Sequence, residues 1–304
     1  MPRSRIVTVF GASGFLGSAV VGAFARAGWR VKAACRRPEA GYALRPLGTP
    51  GQVEPVPFMA GDRGSTERAL AGAQTAVNCV GTLHRGLAPL NADLPGLIGA
   101  AARAAGVERF VHVSALGVQG GPSRYAASKL WGESAAREAF GLDTTVLRPS
   151  VIFGPGDRFF ALFARLSALF PALPLVGGGG TRFQPVYVGD VARAALQALD
   201  VPPETYSLGG PEAVTFRQVL ERVCTWTGRR RALVPLPWAL AKAQGAVLQF
   251  LPGTLLTPDM VDQLRADSVV PDGAPGLAAL GVAHPTPMEA IVPGYLSPTA
   301  KALF

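Results

Sequence analysis

The stretch VTVFGASGFLGSAVV, Val7–Val21, spaces three glycines as G-x-x-G-x-x-G where a β-branched run gives way to a helical pattern. A strand that ends on Gly11 and a helix that opens near Gly14 restrict the chain to folds with a tight turn and a helix close against a sheet. Gly11 permits the turn, Gly14 lets backbone N–H groups approach a diphosphate, and Gly17 lets the helix lie on the sheet. The helix start adds unpaired donors and the positive end of a dipole. Gly11, Ala12, Ser13, Gly14, Phe15, Leu16 and Gly17 therefore read as a phosphate-binding turn, because the motif sits at the first strand-to-helix junction.

The rhythm that follows supports that reading. Strand-like segments at 5–10, 30–35, 53–59, 75–80, 109–114 and 144–149 alternate with helical ones, among them 91–105 and 123–140. Six strands with crossover helices predict an α/β, Rossmann-like, doubly wound parallel sheet. Two prolines in the third strand predict a distorted or edge position. Residues 1–155 are expected to form an NAD(P)-binding domain and 156–304 a smaller, interleaved C-terminal lobe. A strand and a helix near 184–200, the helix starting near Asp190, are expected to return to the first domain. Further helices are expected at 157–170 and 215–228.

Composition narrows the function classes. At 304 residues and 49% hydrophobic, the chain can bury a large core as one or two domains. Mean hydropathy is high, +0.27, yet no uncharged apolar run is long enough to span a bilayer. A strand entered near Arg5 leaves no room for a leader, so a cytoplasmic location is expected. Cys35, Cys79 and Cys224 lack CxxC spacing and read as reduced thiols, two of them buried at strand ends. His84, His112 and His284 lack metal-ligand spacing, so no metal is expected. A net charge of +9 asks for an acidic partner or a phosphorylated ligand, and it is uneven, with 17 basic against 9 acidic residues over 1–150. The one dense cluster, Gly228–Arg231, has no interleaved aromatics and no recognition-helix pattern, so nucleic acid is not expected.

At the end of the second strand an acidic residue would select NAD(H); this chain has Arg36 and Arg37, whose guanidinium forks suit a 2′-phosphate and favour NADP(H). Asp62, after the third strand, admits two roles: holding the adenine amino group or capping the next helix. Tyr125 and Lys129, four residues apart on a predicted helix, share one face, and an ammonium beside a phenol lowers its pKa toward use as an acid or base.

With GASGFLG, NCVG at 78–81, YAASK and LRPSVIFGPGD at 147–157, the chain resembles the short-chain dehydrogenase/reductase superfamily in its extended or atypical branch. The resemblance implies a catalytic set of Tyr125 as acid/base, Lys129 as its electrostatic partner and holder of the nicotinamide ribose, and Ser114 as the hydroxyl. It also implies that Val80, Gly81 and Pro149 lie along the cofactor. Two departures argue against ordinary catalysis: the second hydroxyl position of extended members is Ala115 here, and the interval from Ser114 to Tyr125 is short.

A narrower likeness spans nearly the whole chain. VERFVHVSALG, QPVYVGDV, LVPLPWALAKAQGAVLQFLPG, LLTPDMVDQL and ALGVAHPTPMEAIVPGYL look like the family of NADPH-binding accessory subunits of respiratory complex I and their bacterial relatives. That resemblance implies a structural nucleotide, other complex I subunits as partners, and a peripheral place on the cytoplasmic side of the inner membrane, where the peripheral and membrane arms meet. Ser18 stands where these relatives often carry an arginine. The segment with Trp238, Ala241, Val247, Leu248 and Leu251 is read as an apolar helix for a membrane interface, a partner's groove or its own core. An active reductase, epimerase or dehydratase using Tyr125 is the alternative function, and a nucleotide-sensing regulator a third.

Overall fold

The computed structural model describes residues 5–83, 86–249 and 257–297; His84 and Leu251, discussed above, lie outside them. Seven strands, all paired in parallel, form the central sheet: β1 (Ile6–Phe10), β2 (Arg30–Cys35), β3 (Val53–Pro57), β4 (Thr75–Asn78), β5 (Arg109–Val113), β6 (Thr144–Pro149) and β11 (Thr205–Leu208). Their order is β11-β6-β5-β4-β1-β2-β3. This is the doubly wound sheet expected, with proline-bearing β3 at one edge, where a missing N–H costs no ladder bond. The sequence pattern yields six strands; the seventh, β11, is only four residues long and pairs with β6 from the far edge.

Valines and alanines on alternate positions of the strands meet helices on both faces. On one face α1 (Phe15–Arg26) and α7 (Val188–Gln197) pack on Val7, Val9, Val31, Val111 and Leu147. On the other, α3 (Arg63–Leu70), α4 (Leu94–Ala104) and α5 (Arg124–Phe140) pack around Phe10 and Phe110, while the short α2 (Pro38–Tyr42) follows β2. Phe10 and Phe110 are fully buried, each contributing about 2–3 kcal/mol by removal from water. α7 opens at Val188, near Asp190 as expected, and the buried Asp190 carboxylate accepts from the Thr286 N–H (2.6 Å) and Oγ1 (3.2 Å).

The C-terminal lobe is built on aromatic contacts among Phe159, Phe163, Phe183 and Phe216. It contains α6 (Phe159–Leu169), α8 (Phe216–Trp226), α9 (Trp238–Leu248) and α10 (Pro258–Gln263). Three two-stranded pairs frame it: β7 (Ile152–Phe153) with β10 (Val186–Tyr187), β9 (Arg182–Phe183) with β12 (Val214–Thr215), and β8 (Ala172–Val176) with β13 (Ala232–Leu236). α8 starts on a capping box of Thr215 and Gln218. Cys224 is buried on α8 and not at a strand end; Cys35 ends β2, and Cys79, half-buried, follows β4. The basic cluster is partly consumed inside the protein. Arg229 Nη1 donates to the Ala164 carbonyl (3.3 Å) and Arg231 Nε to the Ser167 carbonyl (2.7 Å), satisfying the end of α6.

α9 proves to be a surface helix. Only Ala241 and Gly245 are buried, and Gly245 sits so close to α10 that a Cβ would lie 2.8 Å from the Thr257 carbonyl carbon. Leu240 and Val247 remain 56% and 69% exposed.

Candidate functional site

The sheet collects the sequence-predicted residues along one edge. Gly11 follows β1, Arg36 follows β2, Val80 and Gly81 follow β4, Ser114 follows β5, and Pro149 ends β6, all at carboxyl ends of parallel strands. The order reverses between β1 and β4, and a crevice at such a switch point is where open α/β sheets take ligands.

The turn after β1 has the geometry of a cradle. Gly11 adopts φ +75°, open to glycine without strain, and its N–H and that of Ala12 bond the Ala34 carbonyl at 3.1 and 3.3 Å. A Cβ on Gly17 would lie 2.1 Å from the Gly11 carbonyl oxygen, so only glycine allows α1 to approach the turn. Ser13 and Gly14 face solvent. α1 carries no side-chain cap, and the N–H groups of Phe15, Leu16 and Gly17 have no acceptor among the described residues. Ser18 donates its hydroxyl back to the Phe15 carbonyl (3.0 Å).

Arg36 and Arg37 are exposed beyond β2, with no carboxylate paired to either among the described residues. Of the two roles open to Asp62, the structure shows the cap: its carboxylate accepts from Gly64 N (3.0 Å) and Ser65 N (3.2 Å) at the start of α3.

On the other side of the crevice, Lys129 Nζ donates to the Val113 carbonyl (3.1 Å), and a Cβ on Gly81 would stand 3.0 Å from that nitrogen. Burial pulls the Lys129 ammonium down to about 8, while Cys79 and Glu133 act in the opposite direction. Tyr125 corrects the sequence expectation. Burial pushes its phenol above the usual value, and Lys129, aimed at Val113, does not lower it. Ser114 is 4% exposed and its Oγ has no partner among the described residues.

Several residues to which the sequence reading gives no part in the site complete its floor. Asn78 Oδ1 accepts from Val80 N (3.0 Å), which turns Nδ2 toward His112 Nδ1 (3.2 Å). That nitrogen must then be the acceptor, so His112 is neutral with its proton on Nε2, in line with a pKa driven well down by burial and by Lys129. Glu133 and Arg148 form a buried bidentate pair beneath Lys129, at 2.9 and 2.6 Å. Asn91 fixes the loop after β4 through Thr82 N (3.0 Å) and reaches Ser128 Oγ (3.1 Å). A polar residue at the end of a buried strand, as at Asn78 and His112, is the signal that points to them. No cluster of His, Cys, Asp and Glu among the described residues could hold a metal.

A parallel sheet with this turn, at this switch point, defines a dinucleotide-binding protein of the extended reductase type, and the chain belongs to the NAD dependent epimerase/dehydratase family, whose model matches residues 7–209. Within that family its likeness is more particular. It is 34% identical over 297 residues to NADH dehydrogenase (ubiquinone) 1 alpha subcomplex subunit 9, mitochondrial, of Mus musculus, a match covering 93% of this chain and 78% of that protein. The Arabidopsis thaliana counterpart is 32% identical over 289 residues, covering 88% and 72%. Among solved structures, an NADPH-dependent quinone oxidoreductase of Escherichia coli complexed with NADPH superposes with a TM-score of 0.74 at 19% identity, over 98% of this chain and 99% of that one, which speaks for the fold.

Family membership makes a nicotinamide adenine dinucleotide the nucleotide of this fold. The residues present fit it: a turn closed to any side chain at Gly17, three unpaired N–H groups at the start of α1, and a glycine beside Lys129.

Proposed function

We propose that this chain is an NADPH-binding accessory subunit of respiratory complex I, its nucleotide held for structure rather than turned over. One observation carries this reading. The family model ends at residue 209, whereas the match to the mouse subunit extends over 93% of the chain and therefore through the C-terminal lobe. A lobe shared with subunits of a respiratory enzyme, and presenting Leu240 and Val247 to the outside, suits docking. Its partners are then other complex I subunits, and its place is peripheral, on the cytoplasmic side of the inner membrane where the two arms join. No helix among the described residues is long and apolar enough to cross a membrane.

Site chemistry agrees with a structural nucleotide. Ser114 is sealed in the protein, Ala115 offers no hydroxyl, and the Tyr125 phenol is held above its ordinary pKa, all of which oppose proton transfer near neutral pH. Ser114, Tyr125 and Lys129 then line the nicotinamide end, with Val80, Gly81 and Pro149 along the cofactor. Arg36, with Arg37 beside it, would take the 2′-phosphate and select NADP(H) over NAD(H).

An active NAD(P)H-dependent reductase, epimerase or dehydratase is the second reading. It is favoured by Tyr125 and Lys129, one helical turn apart on α5 at the crevice. The two separate in one experiment. The purified chain is expected to retain NADPH, to show no carbonyl-dependent oxidation of it, and to be unaffected by Tyr125→Phe in either respect. Steady turnover lost in Tyr125→Phe would establish the enzyme instead. In membranes the protein is expected to co-purify with complex I; recovery in the soluble fraction alone would overturn the subunit assignment.

A further inference from the structure

Resting on the reading of the crevice as an NADPH site, we propose that Asp259 and Gln263 are positioning residues. The C-terminal segment bearing them is fastened to the first turn of α5, so that nucleotide in the crevice and this segment stabilise one another.

The first three N–H groups of α5 are all satisfied by side-chain oxygens. Asp259 Oδ1 accepts from Arg124 N (2.6 Å), Asp259 Oδ2 from Tyr125 N (3.1 Å), and Ser123 Oγ from Ala126 N (3.0 Å). Ser123 Oγ in turn donates to Gln263 Oε1. Two of these acceptor oxygens come from α10, more than 130 residues away, with separations of 135 and 134. A carboxylate at the positive end of a helix is favourable on its own, and here it also removes two orphan donors.

The same segment is tied in two further directions. Outward, Lys242 Nζ of α9 reaches Asp262 (2.7 Å), and Gly245 of α9 lies against the Thr257–Pro258 backbone. Across the carboxyl edge of the sheet, Arg182 N donates to Asp267 Oδ1 (2.8 Å) and Ser150 Oγ to the Ser268 carbonyl (2.6 Å). Gly117, in the loop after β5, approaches so closely that a Cβ would lie 2.6 Å from the Asp267 carbonyl oxygen. Residues 257–268 are thus a strap joining α9, α5 and the loops beside the crevice.

Tyr125 is the second residue of α5 and Lys129 lies one turn further in. A displacement of α10 must either carry these residues with it or leave helix N–H groups without their protein acceptors. Coupling of this kind is reciprocal: whatever NADPH gains from an ordered α5, the strap gains from NADPH.

Hydrogen exchange on the full chain, with and without NADPH, tests the proposal. In the wild type NADPH is expected to slow exchange in α1 and equally in residues 257–265. In Asp259→Ala it should still slow α1 but no longer 257–265, and NADPH binding should weaken roughly three- to tenfold, the scale of losing a helix cap. Asp262→Asn, which weakens the Lys242 tie between α9 and α10 but spares the caps, should keep NADPH affinity within about twofold while exchange in α9 rises. Should Asp259→Ala fail to fold, Asp259→Asn, which retains one acceptor oxygen, must show a smaller effect in the same direction. Protection confined to α1 in the wild type, or an Asp259 variant with unchanged affinity and protection, overturns the coupling alone. A wild type that binds no NADPH overturns the functional reading beneath it.

Discussion

α1 and α5 lie on opposite faces of the sheet and begin in opposite ways. α1 opens on Gly14 with no side-chain cap, so the N–H groups of Phe15, Leu16 and Gly17 have no acceptor among the described residues. α5 opens on Ser123 with every one of its first three N–H groups already held by Ser123 or Asp259. An uncapped helix end is unfavourable by about 1 kcal/mol, which a bound anion can recover. A fully capped one has nothing left to offer a ligand and is suited instead to holding Tyr125 and Lys129 still. The contrast divides the labour: one helix end binds, the other positions.

The sharpest way to break the comparison is Gly17→Val. The side chain must occupy space held by the Gly11 carbonyl, 2.1 Å from its Cβ, so NADPH retention is expected to vanish and the melting temperature to fall by roughly 5–10 °C. Retention of nucleotide by this variant would show that the open helix end is not the binding element. Next in size, Arg36→Asp replaces a phosphate ligand by a repelling carboxylate. The ratio of NADPH to NADH affinity should drop about a hundredfold, measured by titration of both nucleotides, and an unchanged ratio would remove Arg36 from the site. On the capped side, Ser123→Ala should lower the melting temperature by only about 2–4 °C while nucleotide stays bound. Loss of nucleotide there would mean that α5 contributes donors after all. The smallest effect belongs to Asp62→Asn: an amide oxygen still accepts from the α3 amides, so affinity for NADPH should change less than about twofold. A larger loss would restore the adenine contact as the role of its charge.

The open end was legible in the sequence because its determinants are local. Gly11, Gly14 and Gly17 span seven residues, and their meaning depends only on the strand before and the helix after. β3 was equally legible as an edge, since proline cannot donate to a central ladder. The capped end was not, because Asp259 meets α5 through a separation of 134 residues and no local pattern marks an acceptor for another helix. The inner side of α5 was hidden for a different reason. Lys129 and Glu133 point at the sheet where apolar residues would ordinarily lie, so the burial of that helix leaves no hydrophobic stripe to read. The Tyr125 phenol illustrates the limit of spacing arguments: four residues place Lys129 on its side of the helix, but only the fold directs the ammonium to Val113.

Asp190 on the sheet-packed α7 and Asp157 at the start of the C-terminal lobe complete their bonding only with residues much later in the sequence. Asp190 accepts from Thr286, 96 positions later, and Asp157 from the hydroxyl of Tyr295, 138 positions later. During synthesis both carboxylates emerge well before these partners and have at first only their neighbours, Arg193 and the Phe160 N–H, to bond. Closure of these two bonds ties the order of folding to the order of synthesis, since neither can form before residues 286 and 295 exist.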